Sequence, residues 1–228
     1  MTLRLRGVGS VSVLRLFIAA VIFALPLTAS ADFENVRAAA VFRNFDTQLR
    51  FEDGAVHERH FRRAGIEYWE AIAEHVYGGF ALGYSESEGH DAARPFETAA
   101  GNYGLLGLRV DAPLNERLSL RGRAAYLLQR DVAGPVDALE TRSREVRAEF
   151  GPVLHLRRLE FSLGAVWRDL DYRDVVHDNG VESVRHAEGT ERGGGFAALG
   201  LRTGDGVIAL RYDAGAESGW GLRFEQTF

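Results

Sequence analysis

The 228-residue chain contains no cysteine, and its 27 basic residues are all arginine, because lysine is absent as well. Without cysteine there is no disulfide framework, no thiolate metal ligand and no thiol nucleophile. Positive charge is not in excess: the formal charge is −5, with no clustered basic face of the kind nucleic acid requires. Nucleic acid is therefore not an expected partner. Long apolar runs are missing too, since no segment beyond the first thirty or so residues holds the ~18 uncharged residues of a membrane helix. Apolar residues are nonetheless plentiful, at 46% with 14 Phe, 7 Tyr and 3 Trp, which excludes a disordered chain. The length suits one domain.

The first thirty-one residues have the layout of an export signal. Arg4, Arg6 and Arg15 precede an apolar run from Leu16 to Leu27, and the small triplet Ala29-Ser30-Ala31 follows. Charged, apolar and A-x-A regions in that order predict a cleavable signal peptide over 1–31 and a barrel domain over 32–228. The apolar run falls short of the ~20 residues of a spanning helix. Export of a cysteine-free chain points to the periplasm or the outer membrane.

From Val41 onward the apolar period is two. Trp220, Leu222, Phe224 and Phe228 share one parity, against Gly221, Arg223, Glu225 and Thr227 on the other. Leu159, Phe161, Leu163, Ala165 and Trp167 repeat the pattern, as do Leu118, Leu120, Tyr126 and Leu128. Alternation of this kind puts one apolar and one polar face on a strand. It implies ten strands near 41–51, 59–69, 76–85, 102–111, 118–129, 145–156, 159–170, 195–203, 206–213 and 219–228. Short links alternate with long polar ones at Ser85–Gly101, Arg130–Arg144 and Asp171–Gly194. Strands of about ten residues with loops sorted by length between two ends predict an all-β, antiparallel up-and-down transmembrane β-barrel. Ten strands are expected; eight would follow if 41–69 packed as a periplasmic or plug segment.

The second parity carries Gly79, Ala81 and Gly83 in one strand and Arg121 and Arg123 in another. Glycine inside a strand marks a crowded face, which a filled lumen supplies. Lipid outside would also require every backbone group to be paired, as a closed barrel ensures. Aromatic residues near strand ends, such as Trp69, Tyr126, Trp167, Tyr212 and Trp220, suit interfacial girdles.

The final run, Gly219-Trp220-Gly221-Leu222-Arg223-Phe224-Glu225-Gln226-Thr227-Phe228, resembles the closing strand of bacterial outer-membrane β-barrel proteins of the small OmpA-like and OmpX-like type. The resemblance implies an outer-membrane location, contact with outer-membrane lipid, and recognition of Trp220, Leu222, Phe224 and Phe228 by the barrel assembly machinery. Gln226 interrupts the alternation.

The charged parity defines a candidate lumen network of Arg63, Glu67, Arg109, Arg121, Arg123, Arg147, Glu149, Glu160, Arg168, Arg202, Arg211, Arg223 and Glu225, with Arg50, Asp46 and Asp213 beside it. Rings of arginine can line an anion pathway. A narrow barrel, however, has room for little beyond its own side chains, so an ion-paired plug is expected over a small-solute channel. A soluble periplasmic ligand-binding barrel would turn the apolar parity inward instead. No enzyme and no cofactor are expected. The one pair weighed for a lipid or peptide hydrolase, His155 with Ser162, lies at the short-link end of adjacent strands. His90, His177 and His186 with Glu86, Glu88, Asp91, Asp174, Asp178 and Glu182 form loop charge without distinctive metal spacing. Gly193-Gly194-Gly195 reads as a loop end, not a phosphate loop. The long loops are the expected surface for an extracellular ligand, giving a structural or surface-interaction role.

Overall fold

A computed structural model describes residues 36–89, 98–133, 139–178 and 181–228. The expected signal peptide, together with His90 and Asp91, lies outside the described residues. Among the described residues eleven strands run β1 (Val36–Phe51), β2 (Val56–Ala73), β3 (Val76–Gly89), β4 (Ala99–Asn115), β5 (Leu118–Ala133), β6 (Leu139–Leu156), β7 (Leu159–Asp178), β8 (Val181–Gly189), β9 (Gly193–Thr203), β10 (Gly206–Gly215) and β11 (Ser218–Thr227).

Ten of them close a ring. Each strand from β1 to β7 pairs antiparallel with the next, β7 pairs with β9, and β11 returns to β1 from Arg37↔Thr227 to Asp46↔Ser218. The Phe228 N–H donates to the Val36 carbonyl at 2.9 Å and completes the seam. No strand of the ring has a free edge, so every backbone ladder is satisfied from both sides. The ten expected strands are the members of this ring. Residues 41–69 form part of β1 and β2, so the plug-segment route to eight strands is not taken.

β8 stands outside the ten. It pairs with the far end of β7, from Asp171↔Glu188 to Asp178↔Val181, and with the far end of β1, from Leu49↔Gly189 to Phe51↔Ala187. One strand thus replaces three, and β1 to β8 close a second, narrower ring stacked on the first. The segment Asp171–Gly194, expected as a loop, is instead the upper part of β7 together with β8. Alternation is concealed there because Arg173, Asp174, His186 and Glu188 put polar groups on both faces. Gly193, Gly194 and Gly195 begin β9 in register with Trp167, Val166 and Ala165.

The two-residue turns at 74–75, 116–117, 157–158 and 204–205 share one end with both termini of the described barrel. Gly204 has φ +64° there, a conformation that other residues rarely adopt. In barrels of this kind the short turns face the periplasm and the long connections face outward.

Outward side chains change character at one level. On β6, Leu156, Leu154, Phe150 and Val146 are exposed apolar positions, followed by exposed Arg144 and Arg142. On β7, Leu159, Phe161, Leu163 and Trp167 give way to Asp169 and Asp171. The register Asn102↔Arg130↔Arg142 carries the same boundary across β4, β5 and β6. About ten residues per strand at ~3.3 Å each, tilted by ~40°, give a belt about 25 Å tall, the height of a hydrocarbon layer.

Inward side chains change in the opposite sense. Inside the belt most are charged, alongside an apolar cluster of Trp69, Tyr77, Ala81, Tyr103, Leu105, Ala125 and Leu127 on the β2–β5 wall. Above it, Phe45, Leu49, Phe51, Phe61, Leu170, Tyr172 and Ala187 pack into a dry cluster within the eight-strand collar. Each large apolar side chain buried there contributes about 1.5–3 kcal/mol. The inversion follows from the surroundings: lipid demands an oily exterior, whereas water above it demands a polar one. Two residues expected in the lumen are corrected by this rule. Arg50 and Asp46 lie on β1 above the boundary and point outward, where Asp46 Oδ1 meets His60 Nδ1 at 2.6 Å.

Candidate functional site

The belt interior is a stack of paired charges. At the periplasmic level Asp111 accepts from Arg109 and Arg121 at 2.9 and 2.7 Å, and Glu225 accepts from Arg109 at 2.7 Å and from Arg223 at 2.6 Å. Arg121 also reaches Glu160 at 3.0 Å. In the middle, Glu67 takes Arg123 at 2.9 Å, Arg223 at 2.8 Å and the Trp69 indole N–H at 3.0 Å. Arg211 bridges Glu149 and Asp213, both at 2.6 Å. At the upper level Glu145 joins Arg63 at 2.9 Å and Arg168 at 3.2 Å, while Glu217 joins Arg147 at 2.6 Å and also Arg43. Several of these contacts are charge-assisted hydrogen bonds, and Arg109 grips Glu225 with both of its terminal nitrogens.

Twelve of the thirteen network candidates meet partners inside this stack; Arg202 stands at the periplasmic mouth, 43% exposed, with its guanidinium on His155. Sequence reasoning missed Arg37, Arg43, Asp111, Glu145 and Glu217. Arg43 and Glu145 share the inward parity of Arg147, so parity alone identifies them. Glu217 had no such signal. It belongs to the turn between β10 and β11, which folds inward and leaves its carboxylate fully buried. Burial pushes the Glu217 carboxyl up, but Arg147, Arg43 and Arg168 outweigh burial and hold it well below the usual carboxylate range.

Aromatic rings fill the space between the charges. Arg123 stacks over Trp69 at 4.9 Å and Arg211 over Phe196 at 4.0 Å. Phe45 is ringed by Arg43, Arg63 and Arg168 at 5.1–5.3 Å. The crowding inferred from the lumen glycines is present: a Cβ on Gly79 would lie 2.3 Å from the Tyr68 carbonyl oxygen and 2.4 Å from the Trp69 ring. A mid-barrel cavity of about 170 Å³ remains, bordered by Arg63, Glu67, Tyr103 and Arg147. A wider one of about 690 Å³ occupies the periplasmic mouth.

His155 does not pair with Ser162. Both Ser119 and Ser162 stand opposite Val153 on either side of β6, and the imidazole leans toward β5, putting Nε2 2.9 Å from Ser119 Oγ. Arg202 and Glu160 occupy the side of Nδ1. Glu86 and Glu88, expected in a loop, are on β3 and pair with Arg62. Among the described residues no group of His and acids is arranged to hold a metal ion. In the collar, hydrogen bonds from Arg142 and Arg130 hold the Glu140 carboxyl down to about 2.

A closed ring with an oily belt outside and charges enclosed within fits one solvent arrangement. The molecule is a transmembrane β-barrel of the outer-membrane type. A soluble ligand-binding barrel is ruled out in the belt, where Leu106 is 68% exposed while its inward neighbour Leu105 is 9% exposed. The barrel matches no protein-family model and no curated protein. Among solved structures it is similar to the outer membrane protease OmpT from Escherichia coli, at 11% identity, covering 89% of this chain and 99% of that one, with a TM-score of 0.48. It is also similar to the translocator domain of the autotransporter NalP from Neisseria meningitidis, at 12% identity over 96% and 98% of the two chains, TM-score 0.47. The transport unit of the autotransporter AIDA-I from Escherichia coli gives 12% identity over 95% and 96%, TM-score 0.44. The assignment of the barrel rests on its own geometry.

Proposed function

We propose that the barrel is a sealed outer-membrane scaffold whose collar and outer loops present a surface for interaction, and that it is not a solute channel. The observation that carries this reading is the dry cluster inside the collar, where Phe45, Leu49 and Phe61 are each at most 1% exposed. Solute entering from outside would have to displace that cluster, beside which Arg59 pairs with Asp174 at 2.8 Å, before reaching the charged stack inside the belt. A ring of eight strands leaves an interior just wide enough for side chains, so the collar has no spare bore. The paired charges below support the same reading, because an anion pathway needs guanidinium groups that are not already neutralised. Trp220, Leu222 and Phe224 on β11, together with Phe228, are proposed as the segment the barrel assembly machinery reads. The outer ligand is expected at the rim, where residues 90–97 and 134–138 lie outside the described residues.

Conductance tests this directly. Purified barrel inserted into a planar lipid bilayer should give no stable open channel under applied voltage. Reproducible steps of a lasting open state would overturn the proposal and favour a small-solute channel.

A further inference from the structure

At the periplasmic mouth three lumen-facing side chains from consecutive strands meet: Ser119 on β5, His155 on β6 and Glu160 on β7. Ser119 Oγ lies 2.9 Å from His155 Nε2, and His155 Nδ1 lies 3.5 Å from Glu160 Oε2. The sheet register fixes this, with Ser119 opposite Val153 and His155 opposite Glu160. All three line the cavity of about 690 Å³, whose rim includes the turn residues His75, Gly204 and Asp205. Glu160 is buried and further held by Arg121 at 3.0 Å. A hydroxyl, an imidazole and a carboxylate in that order are the parts of an activated serine nucleophile.

A fourth group decides its state. Arg202 on β9 sets Nη2 3.0 Å from His155 Nδ1 and 3.7 Å from Glu160 Oε2. A guanidinium can donate but not accept, so Nδ1 is the acceptor and the ring proton sits on Nε2, aimed at Ser119. That is a resting tautomer, because Nε2 cannot then take the serine proton. When Arg202 leaves, Nδ1 can carry the proton and donate it to Glu160, and Nε2 becomes a base. Arg202 is free to leave, being 43% exposed at the mouth.

We propose that the mouth is a latent serine acyl-hydrolase site for small anionic esters, switched on when the substrate's anion draws Arg202 away from His155. Ser119 Oγ forms a bond to the ester carbonyl carbon while its proton passes to His155 Nε2. The carbon–oxygen bond to the alcohol then breaks, and the alcohol leaves with that proton. Water next attacks the acyl-serine, giving one proton to Nε2; the acid departs and the proton returns to Oγ. Arg121, two residues from Ser119 on the same face, lines the same cavity while bonded to Asp111 and Glu160, and is the cation assigned to the transient oxyanion. The serine is Ser119 and not the Ser162 considered from the sequence, and this site is independent of the sealed collar.

Full-length barrel folded in detergent can be assayed with an anionic ester, 4-nitrophenyl hemisuccinate, and a neutral one, 4-nitrophenyl butyrate. Wild type should show a kcat/KM at least about 10-fold higher for the anionic ester. Ser119→Ala and His155→Gln should each lose about 10²-fold or more. Arg202→Ala should abolish the preference and make Ser119 reactive toward a fluorophosphonate probe. Heat-modifiable migration confirms that each variant is folded, and wild-type turnover decides even where a variant does not fold. No wild-type turnover above the detergent background would overturn the proposal. So would turnover that survives Ser119→Ala or His155→Gln, or a preference that survives Arg202→Ala.

Discussion

Replacing Glu217 by glutamine keeps the volume of the side chain and removes its charge. In the wild-type barrel that charge faces Arg147 at 2.6 Å, Arg43, and Arg168 at 3.8 Å, with 2% of the side chain exposed. Removing one member of a buried ionic group strands its partners in a low-dielectric site, at a cost of about 3–5 kcal/mol. The amide can still accept a hydrogen bond, so the lower end, about 3 kcal/mol, is expected for Glu217→Gln. That is about a 10²-fold change in the folding equilibrium, measurable by urea unfolding from lipid vesicles at pH 8. The pH dependence supplies a second check. The folded-state pKa of Glu217 is depressed, so its contribution is complete above the ordinary value near 4.5 and is lost as pH falls toward the folded value. Variant and wild type should therefore converge on acidification, by about 2 kcal/mol at pH 3, since each pH unit below the unfolded pKa removes about 1.4 kcal/mol. A difference below about 1 kcal/mol at pH 8 would place Glu217 among ordinary surface pairs. A difference that does not narrow at pH 3 would show that its charge is not what stabilises the turn.

Because the chain has no cysteine, single substitutions report cleanly on orientation. Leu106→Cys should react with a lipid-soluble maleimide in intact vesicles and Leu105→Cys should not, given exposures of 68% and 9%; equal labelling would refute the inward and outward assignment. Gly79→Val should sharply reduce the heat-modifiable folded fraction, because its Cβ would lie 2.3 Å from a backbone oxygen, closer than real contacts allow. Gly78→Val, whose Cβ would first meet the Ile72 side chain at 3.4 Å, should fold almost normally, and equal behaviour of the two would contradict a packed lumen.

The belt was legible in the sequence because lipid imposes one rule on every strand it touches. Leu159, Phe161, Leu163 and Trp167 announce their face without knowledge of any partner. The collar was not legible, because water reverses the rule and leaves no marker where it does so. Arg50 and Asp46 were placed inside by the logic that correctly placed Arg121 and Arg123. β8 escaped notice for a related reason: its pairing with the extended end of β7 and with β1 gives it order, while its own residues read as polar loop. Glu217 shows a third limit. Parity arguments stop where a strand ends, and a turn that folds back into the lumen has no parity to read. The Ser119–His155 contact was hidden by an ambiguity of register, since two serines flank the same Val153 and side-chain lean selects between them.

The arginine-rich interior and the change from ten strands to eight have one geometric cause. Eight strands enclose a space that wall side chains fill at close quarters, as Leu49, Phe61, Leu170 and Tyr172 do in the collar beside the buried Arg59–Asp174 pair. Ten strands enclose a wider one, in which Trp69, Tyr103, Leu105 and Leu127 cover only the β2–β5 wall. Arginine is long enough to cross it, and its planar head can stack on Trp69, Phe196 or Phe45 while bonding carboxylates along its edge. Its charge in turn requires an acid within reach, so the lumen accumulates Glu67, Glu145, Glu149, Glu217 and Glu225 as counterparts. Lysine offers a point charge without a stacking surface or a fixed fork of donors, and would leave rings and acids alike with poorer partners. The absence of lysine throughout the chain thus accords with an interior of stacked, bridging cations that tie facing walls together.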